Sequence, residues 1–185
     1  FYLIKKKPLI YYTILAFEKH PLIQKIVLVT RKNNFKKFCS LIKKCQFKKI
    51  AAIIKGGKER QDSSFQGLKM AEKLGANVGD LISFHNGANP LVSQEEISEA
   101  IKAAKKYGAA LVGQPARDTI KEIDKKGFLV RTLNRKKIFL AQTPQTIEYQ
   151  LAKKAFEKAE RENFQGTDDI SLVQRLRKKL KIVPA

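Results

Sequence analysis

Residues 50–63 read Ile-Ala-Ala-Ile-Ile-Lys-Gly-Gly-Lys-Glu-Arg-Gln-Asp-Ser, and this stretch limits the possible folds more than any other. Its five leading apolar residues, bounded by polar ones, predict a strand buried on both faces, as inside a parallel sheet. Gly56-Gly57 then ends the strand with backbone freedom that a Cβ would remove. Ser63-Ser64-Phe65-Gln66 has the S-x-x-Q form of a capping box, which predicts a helix starting there. A strand, a glycine turn and a capped helix in succession leave free N–H groups at the carboxyl edge of a sheet, where open α/β folds bind ligands.

The same rhythm continues along the chain. Pro8 suits the first turn of a helix that runs through Phe17 and stops before Pro21, and Lys25–Thr30 reads as a strand. Asn33-Asn34 are placed to cap a helix over 35–44. A strand follows at 80–84, then the polar turn His85-Asn86-Gly87-Ala88-Asn89-Pro90. Ser93-Gln94-Glu95-Glu96 is a second capping box, with Gly108 as the stop of its helix and a strand over 109–113. Helices and strands alternating in this way predict an α/β, Rossmann-like three-layer fold with a mostly parallel sheet. Residues 118–135 break the alternation: two short apolar-polar runs flank Lys125-Lys126-Gly127, the pattern of a projecting hairpin arm. Gln142-Thr143-Pro144-Gln145 precedes a helix expected over 146–162, Gly166-Thr167-Asp168-Asp169 opens a last helix, and 181–185 is a final strand.

A chain of 185 residues is long enough for one domain with a sizeable core. No apolar run reaches bilayer-spanning length and the first residues lack the order of a signal peptide, so a cytoplasmic location is expected. Cys39 and Cys45 are too few for a disulfide framework and, with only His20 and His85 beside them, for a zinc site. The formal net charge of +21 favours anionic partners. Lysine supplies most of it, in pairs spread along the chain, the pattern of solvated helix faces. Charge alone therefore does not point to nucleic acid.

Five patches in register carry a family resemblance. They are Gly56-Gly57 through Ser63, His85 through Pro90, Asp118-Thr119-Ile120-Lys121, Gln142-Thr143-Pro144-Gln145, and Thr167-Asp168-Asp169 with Ser171-Leu172-Val173. Together, and with Pro8-Leu9 and His20-Pro21-Leu22-Ile23, they resemble the 2-C-methyl-D-erythritol 4-phosphate cytidylyltransferases of non-mevalonate isoprenoid synthesis, over essentially the whole chain. The resemblance implies a nucleotidyltransferase that moves CMP from CTP to methylerythritol phosphate and releases pyrophosphate, with Mg2+ carried on the CTP phosphates rather than in a protein cage. It implies nucleotide binding by Gly56, Gly57, Lys58, Ser63, Asn86 and Gly87. It also implies polyol-phosphate binding by Asn86, Asn89, Thr119, Arg135 and Thr143, with Thr119 and Arg135 reaching a neighbouring subunit's site from the arm of a homodimer. A guanidinium suits that last role because it grips phosphate bidentately. Arg60 and Asp62 are expected to pair with each other and hold the turn, and His85 to be structural.

The departures from the family are specific. The family's N-terminal glycine-rich loop, with its arginine and lysine, and its C-terminal phosphate-facing lysine have no counterpart in residues 1–185, so both ends read as cut and no catalytic residue is assigned. The family's His-Asp-Ala-Ala-Arg-Pro turn is His85-Asn86-Gly87-Ala88-Asn89-Pro90 here. Loss of opposite charges together reads as a compensated swap, against changed substrate choice or lost activity. The competing functions are CMP transfer to another polyol phosphate such as ribitol phosphate, and a non-catalytic basic protein on the same fold that contacts RNA or another anion.

Overall fold

The computed structural model describes residues 2–185. The chain opens with a two-stranded antiparallel hairpin, β1 (Leu3–Ile4) and β2 (Lys7–Pro8), and enters α1 (Leu9–Lys19) directly after Pro8. Strand β3 (Ile26–Thr30), helix α2 (Phe35–Cys45) and strand β4 (Ile50–Lys55) form a right-to-expectation β-α-β unit, with β3 and β4 parallel. Asn34 does sit at the N-cap of α2, but no side-chain cap bond forms there, because a 3-10 turn over Lys32–Asn34 satisfies the backbone instead. Next come α3 (Arg60–Lys73), β5 (Leu81–Phe84), α4 (Gln94–Tyr107) and β6 (Ala109–Pro115). The α4 capping box forms as expected: Glu96 N–H donates to Ser93 Oγ at 3.0 Å and Ser93 N–H to Glu96 Oε2 at 2.6 Å. Gly108 ends the helix at φ +86°, where any side chain would be strained.

The arm is a separate antiparallel pair, β7 (Lys121–Ile123) and β8 (Leu129–Thr132). Its turn is fixed by Asp124 Oδ1, which accepts from Lys126 N–H and Phe128 N–H at 2.9 Å each, and by Gly127 at φ +86°. The chain then returns as β9 (Phe139–Glu148), a ten-residue strand, before α5 (Tyr149–Arg161), α6 (Asp169–Gln174) and β10 (Lys181–Pro184). The expected helix at 146–162 thus begins later, at Tyr149. The Thr143-Pro144 bond is cis, and the β6-β9 register shifts there, between the Leu111–Gln145 and Gly113–Ala141 pairs.

One expectation is corrected by the sheet order. The larger sheet runs β10-β6-β9-β5, with β6 and β10 parallel but β9 antiparallel to both of its neighbours. It is mixed, not mostly parallel, because the arm lets the chain double back from β6 into β9 without a helical crossover. The parallel pair β3-β4 forms a second sheet of its own.

Period-two alternation on β6 explains how the larger sheet is covered. Ala109 and Leu111 join a core cluster with Ala152, Phe156, Ile170 and Leu172 from α5 and α6, while Ala110 turns the other way, to Ala104 of α4 and Val183 of β10. Helices therefore lie on both faces. A third cluster, Phe17, Val92 and Ile97, closes α1 against α4.

Both histidines are built into this core framework in the neutral form. His20, 1% exposed, accepts the Leu22 N–H on Nδ1 and meets Ser98 Oγ through Nε2 at 2.9 Å, so protonating Nδ1 costs a bond as well as desolvation. Burial pushes the His20 imidazole below its ordinary value, and burial does the same to His85, which stacks against Phe17 with ring centroids 4.7 Å apart. With folded values depressed, the unfolded chain binds these protons first. Stability is then complete above the ordinary histidine value of about 6.5 and falls as pH drops below it. The thermal midpoint should decline between neutral pH and pH 5, and His20→Asn should remove part of that slope relative to the parent chain.

Candidate functional site

The Gly56–Ser63 loop is pressed flat against the first turn of α3. Gly56 N–H donates to Thr30 O at 2.9 Å, extending the β3-β4 pairing one residue past the strand. A Cβ at Gly56 would stand 2.4 Å from Ser63 Oγ, and one at Gly57 would stand 2.2 Å from Asp62 Cβ. A Cβ at Gly57 would force the first turn of α3 to move, and one at Gly56 would force the Ser63 hydroxyl out of its place.

The start of α3 differs from the sequence expectation in a useful way. The helix begins a turn earlier, at Arg60, with Glu59 as N-cap and Asp62 Oδ2 accepting the Glu59 N–H at 3.1 Å. Ser63 is not the cap. Its hydroxyl lies inside the first turn and donates back to Glu59 O at 3.1 Å, leaving the oxygen's acceptor side beside Gly56. The expected Arg60–Asp62 pair is also corrected. Asp62 is spent on the cap, and Arg60 Nη1 reaches Asp169 Oδ2 at 2.7 Å instead.

That contact belongs to a network that ties three elements together. Gln61 bridges to the segment before α6, donating to Phe164 O at 2.9 Å and accepting from Gly166 N–H at 2.8 Å. Asp168 caps α6 through the Ser171 N–H at 2.8 Å, and its other oxygen accepts from Gln145 Nε2 at 3.0 Å. Gln145 Oε1 in turn accepts the Ile170 N–H at 3.0 Å. Asp169 is 1% exposed, and its Oδ1 has no hydrogen-bond partner among the described residues. Arg60, Gln61, Gln145, Asp168 and Asp169 thus fix the relative positions of α3, α6 and β9. The Thr-Pro-Gln and Thr-Asp-Asp motifs mark most of these residues in the sequence, but nothing in their spacing reveals that they meet.

The turn after β5 is held mainly by its own backbone. His85 Nε2 bonds Asn89 O at 2.9 Å, Asn89 N–H donates to Asn86 O at 2.9 Å, and Ala88 N–H to Asn86 Oδ1 at 3.0 Å. Gly87 O accepts from Thr13 Oγ1 at 2.9 Å, and a Cβ on Gly87 would meet Ile10 of α1 at 2.8 Å. Asn86 N–H reaches Thr143 Oγ1 at 3.4 Å, so two of the expected contact residues do come together. Lys58 is exposed beside Gly57. Thr119 and Arg135 lie exposed at the root of the arm, where Arg135 Nη1 donates to Arg117 O at 2.6 Å. Among the described residues no hydrogen bond joins them to Gly56–Ser63 or Asn86–Asn89. Neither of two clefts in the chain, of about 470 Å³ beside α2 and about 280 Å³ between α4 and β10, is lined by these positions.

The described residues do not fit a protein-built metal cage. No group of three or more potential ligands gathers among them, and the nearby carboxylates are engaged: Asp62 by a backbone N–H, Asp168 by Ser171 and Gln145, Asp169 by Arg60.

Comparison with known proteins follows the same lines. Residues 1–185 match the family model described as IspD, 2-C-methyl-D-erythritol 4-phosphate cytidylyltransferase. The enzyme of that name from Caldanaerobacter subterraneus subsp. tengcongensis is 41% identical over 182 residues, covering 97% of this chain and 78% of the relative. That from Syntrophus aciditrophicus is 39% identical over 186 residues, covering 100% of this chain and 77% of the relative. The crystal structure of 4-diphosphocytidyl-2C-methyl-D-erythritol synthase from Anaerococcus prevotii superposes with a TM-score of 0.88 at 26% identity, over 98% of this chain and 78% of that one.

The ion pair yields a direct expectation. Removing the cation in Arg60→Ala leaves a sealed carboxylate uncompensated and should destabilise the chain by about 2 kcal/mol, tempered by the half-exposed arginine. Asp169→Asn added to Arg60→Ala should recover part of the loss in urea unfolding, since the amide carries no charge to bury.

Proposed function

The chain belongs to the 2-C-methyl-D-erythritol 4-phosphate cytidylyltransferase family, and on that premise we propose a division of labour among its residues. The reaction is CTP-dependent cytidylyl transfer to 2-C-methyl-D-erythritol 4-phosphate in isoprenoid precursor synthesis. An oxygen of the polyol's phosphate attacks the α-phosphorus of CTP, the bond to the β-phosphate breaks, and pyrophosphate leaves. Two polyanions must meet in line, so catalysis depends on positioning and on donors aimed at the developing charge.

The observation that carries the assignment is the loop sealed against α3. With no side chain at Gly56 or Gly57, a flat pyrimidine can lie against the backbone, and its edge meets N–H donors and the acceptor side of Ser63 Oγ. Lys58 adds positive potential there. Asn86 and Gly87 complete the nucleotide side, while Asn86 and Asn89 of the β5 turn, with Thr143 of β9 beside them, face the polyol phosphate. Thr119 and Arg135 act from the arm of a second copy, gripping the polyol phosphate in the neighbouring site. Ile123, Phe128, Leu129 and Val130 support this role for the arm, being between 57% and 69% exposed, an apolar surface suited to burial in a homodimer. Magnesium, when present, supplies charge neutralisation on the nucleotide's phosphates. The enzyme is cytoplasmic in this reading, and no helix among the described residues is long and apolar enough to cross a membrane.

Pyrophosphate release from CTP, measured on the protein that contains this chain, tests the reading. Methylerythritol phosphate should be used far better than ribitol phosphate; the reverse preference would move the substrate assignment. Gly57→Ala should lower kcat/KM for CTP by at least tenfold, with little effect on KM for the polyol. Arg135→Ala should do the opposite, raising KM for the polyol phosphate. Dimers mixed from the two variants should regain activity, because one of their two composite sites is intact.

A further inference from the structure

The positive charge of this chain is not evenly spread. Residues 1–58 hold fifteen of the 38 Lys and Arg but only one of the 17 acidic residues, Glu18. The remaining 127 residues hold 23 cations and 16 carboxylates. A general enrichment in lysine raises the cations everywhere; it does not empty one region of carboxylates. Glu18 is also unavailable as a counter-charge, since its oxygens accept the backbone N–H groups of Lys48 and Lys49 at 2.7 and 3.1 Å. Seven ion pairs of the described residues join cations and carboxylates from Arg60 onward.

Within this region the charge has a shape. Lys36, Ser40 and Lys44 lie at i, i+4 and i+8 on α2, so they form one row along the helix, with Lys37 and Leu41 in the row beside it. These residues and Pro8 line a cleft of about 470 Å³. At 1.5 Å rise per residue the row from Lys36 to Lys44 is roughly 12 Å long, more than a single phosphate group occupies. Aromatic rings stand nearby: Tyr11 lies 5.5 Å from Phe47 between ring centroids, Lys7 Nζ sits 4.0 Å above Tyr11, and Tyr2 is 77% exposed.

We propose that the cleft between α2 and the β1-β2 hairpin binds single-stranded nucleic acid, with Lys36 and Lys44 tracking the phosphodiester backbone and the exposed Tyr2 ring offering a face for a base. A row of cations beside an exposed ring is what sequence-independent single-strand binding draws on. A lipid surface fits less well. An interfacial helix must expose its apolar face, and Phe35, Phe38, Leu41 and Ile42 of α2 are all partly buried. The proposal is independent of the transfer reaction and of the residues assigned to it.

The test is titration of the whole protein with a labelled single-stranded RNA of about a dozen nucleotides, at several salt concentrations. The Lys36→Gln/Lys44→Gln variant should weaken binding at least tenfold and reduce the slope of log K against log salt by about 1.4, two phosphate contacts' worth. Lys178→Gln/Lys179→Gln, which removes the same charge from an exposed stretch elsewhere, should bind RNA nearly as the parent does. Circular dichroism identifies a variant that has lost its fold, in which case Lys36→Arg/Lys44→Arg, expected to retain binding, decides the matter. Three results overturn the proposal: no RNA binding at about 150 mM salt, equal loss in both glutamine variants, or α2-dependent binding to anionic lipid vesicles in preference to RNA. A fall in kcat/KM for CTP in the α2 variant with RNA binding unchanged also overturns it, assigning the cleft to the substrate's phosphates.

Discussion

Asp169 is the most demanding residue in the structure. A carboxylate sealed from water to this degree is tolerable only beside a cation, and the cation comes from Arg60, 109 positions earlier in the chain. The consequence is geometric. Arg60 is the first residue of α3, so satisfying Asp169 sets where α3 starts, and the start of α3 sets how close Gly56 and Gly57 approach it. Gln61, one residue on, repeats the tie through Gly166. The Gly56–Ser63 loop, to which nucleotide binding is assigned in the proposal, is therefore positioned from behind, by Arg60, Gln61 and Asp169.

The same constraint explains why β9 departs from the parallel pattern. Gln145 must reach both Asp168 and the Ile170 N–H, which places it on a strand flush with α6. Entering from the arm, the chain arrives antiparallel to β6 and pairs with β5 on its other edge. One strand thereby delivers Gln145 to the α6 cap and Thr143 to the β5 turn. The arm and the strand that carries Thr143 are covalently consecutive, joined through the short 3-10 turn at Arg135–Lys137.

Local chemistry made much of this legible. The α4 capping box, the Gly108 stop, the Gly127 turn and the order of strands and helices all follow from residue types within a few positions of each other, and the structure has them. What was not legible depends on distant partners. The S-x-x-Q at Ser63 is a sound local signal for a cap, yet Glu59 and Asp62 form a rival box one turn earlier, and Arg60's need to meet Asp169 favours it. Residues 139–148 carry a proline and two glutamines, a poor strand by propensity; their conformation comes from the edges of β5 and β6 between which they lie. Family resemblance supplied candidate site residues that no periodicity could, and it left untold how they are held.

The Asn86–Asn89 turn shows what the family's charges are and are not needed for. An aspartate and an arginine at these places would be expected to brace the turn against each other, and losing one alone would strand the other in a partly buried site. Here the bracing is done by groups that carry no net charge: the Asn86 amide oxygen on Ala88 N–H, the Asn89 N–H on Asn86 O, and the His85 ring on Asn89 O. The burial-favoured neutral form of His85 suits that last bond, since neutral imidazole still donates through Nε2. A turn held by its own backbone keeps its shape without the ion pair.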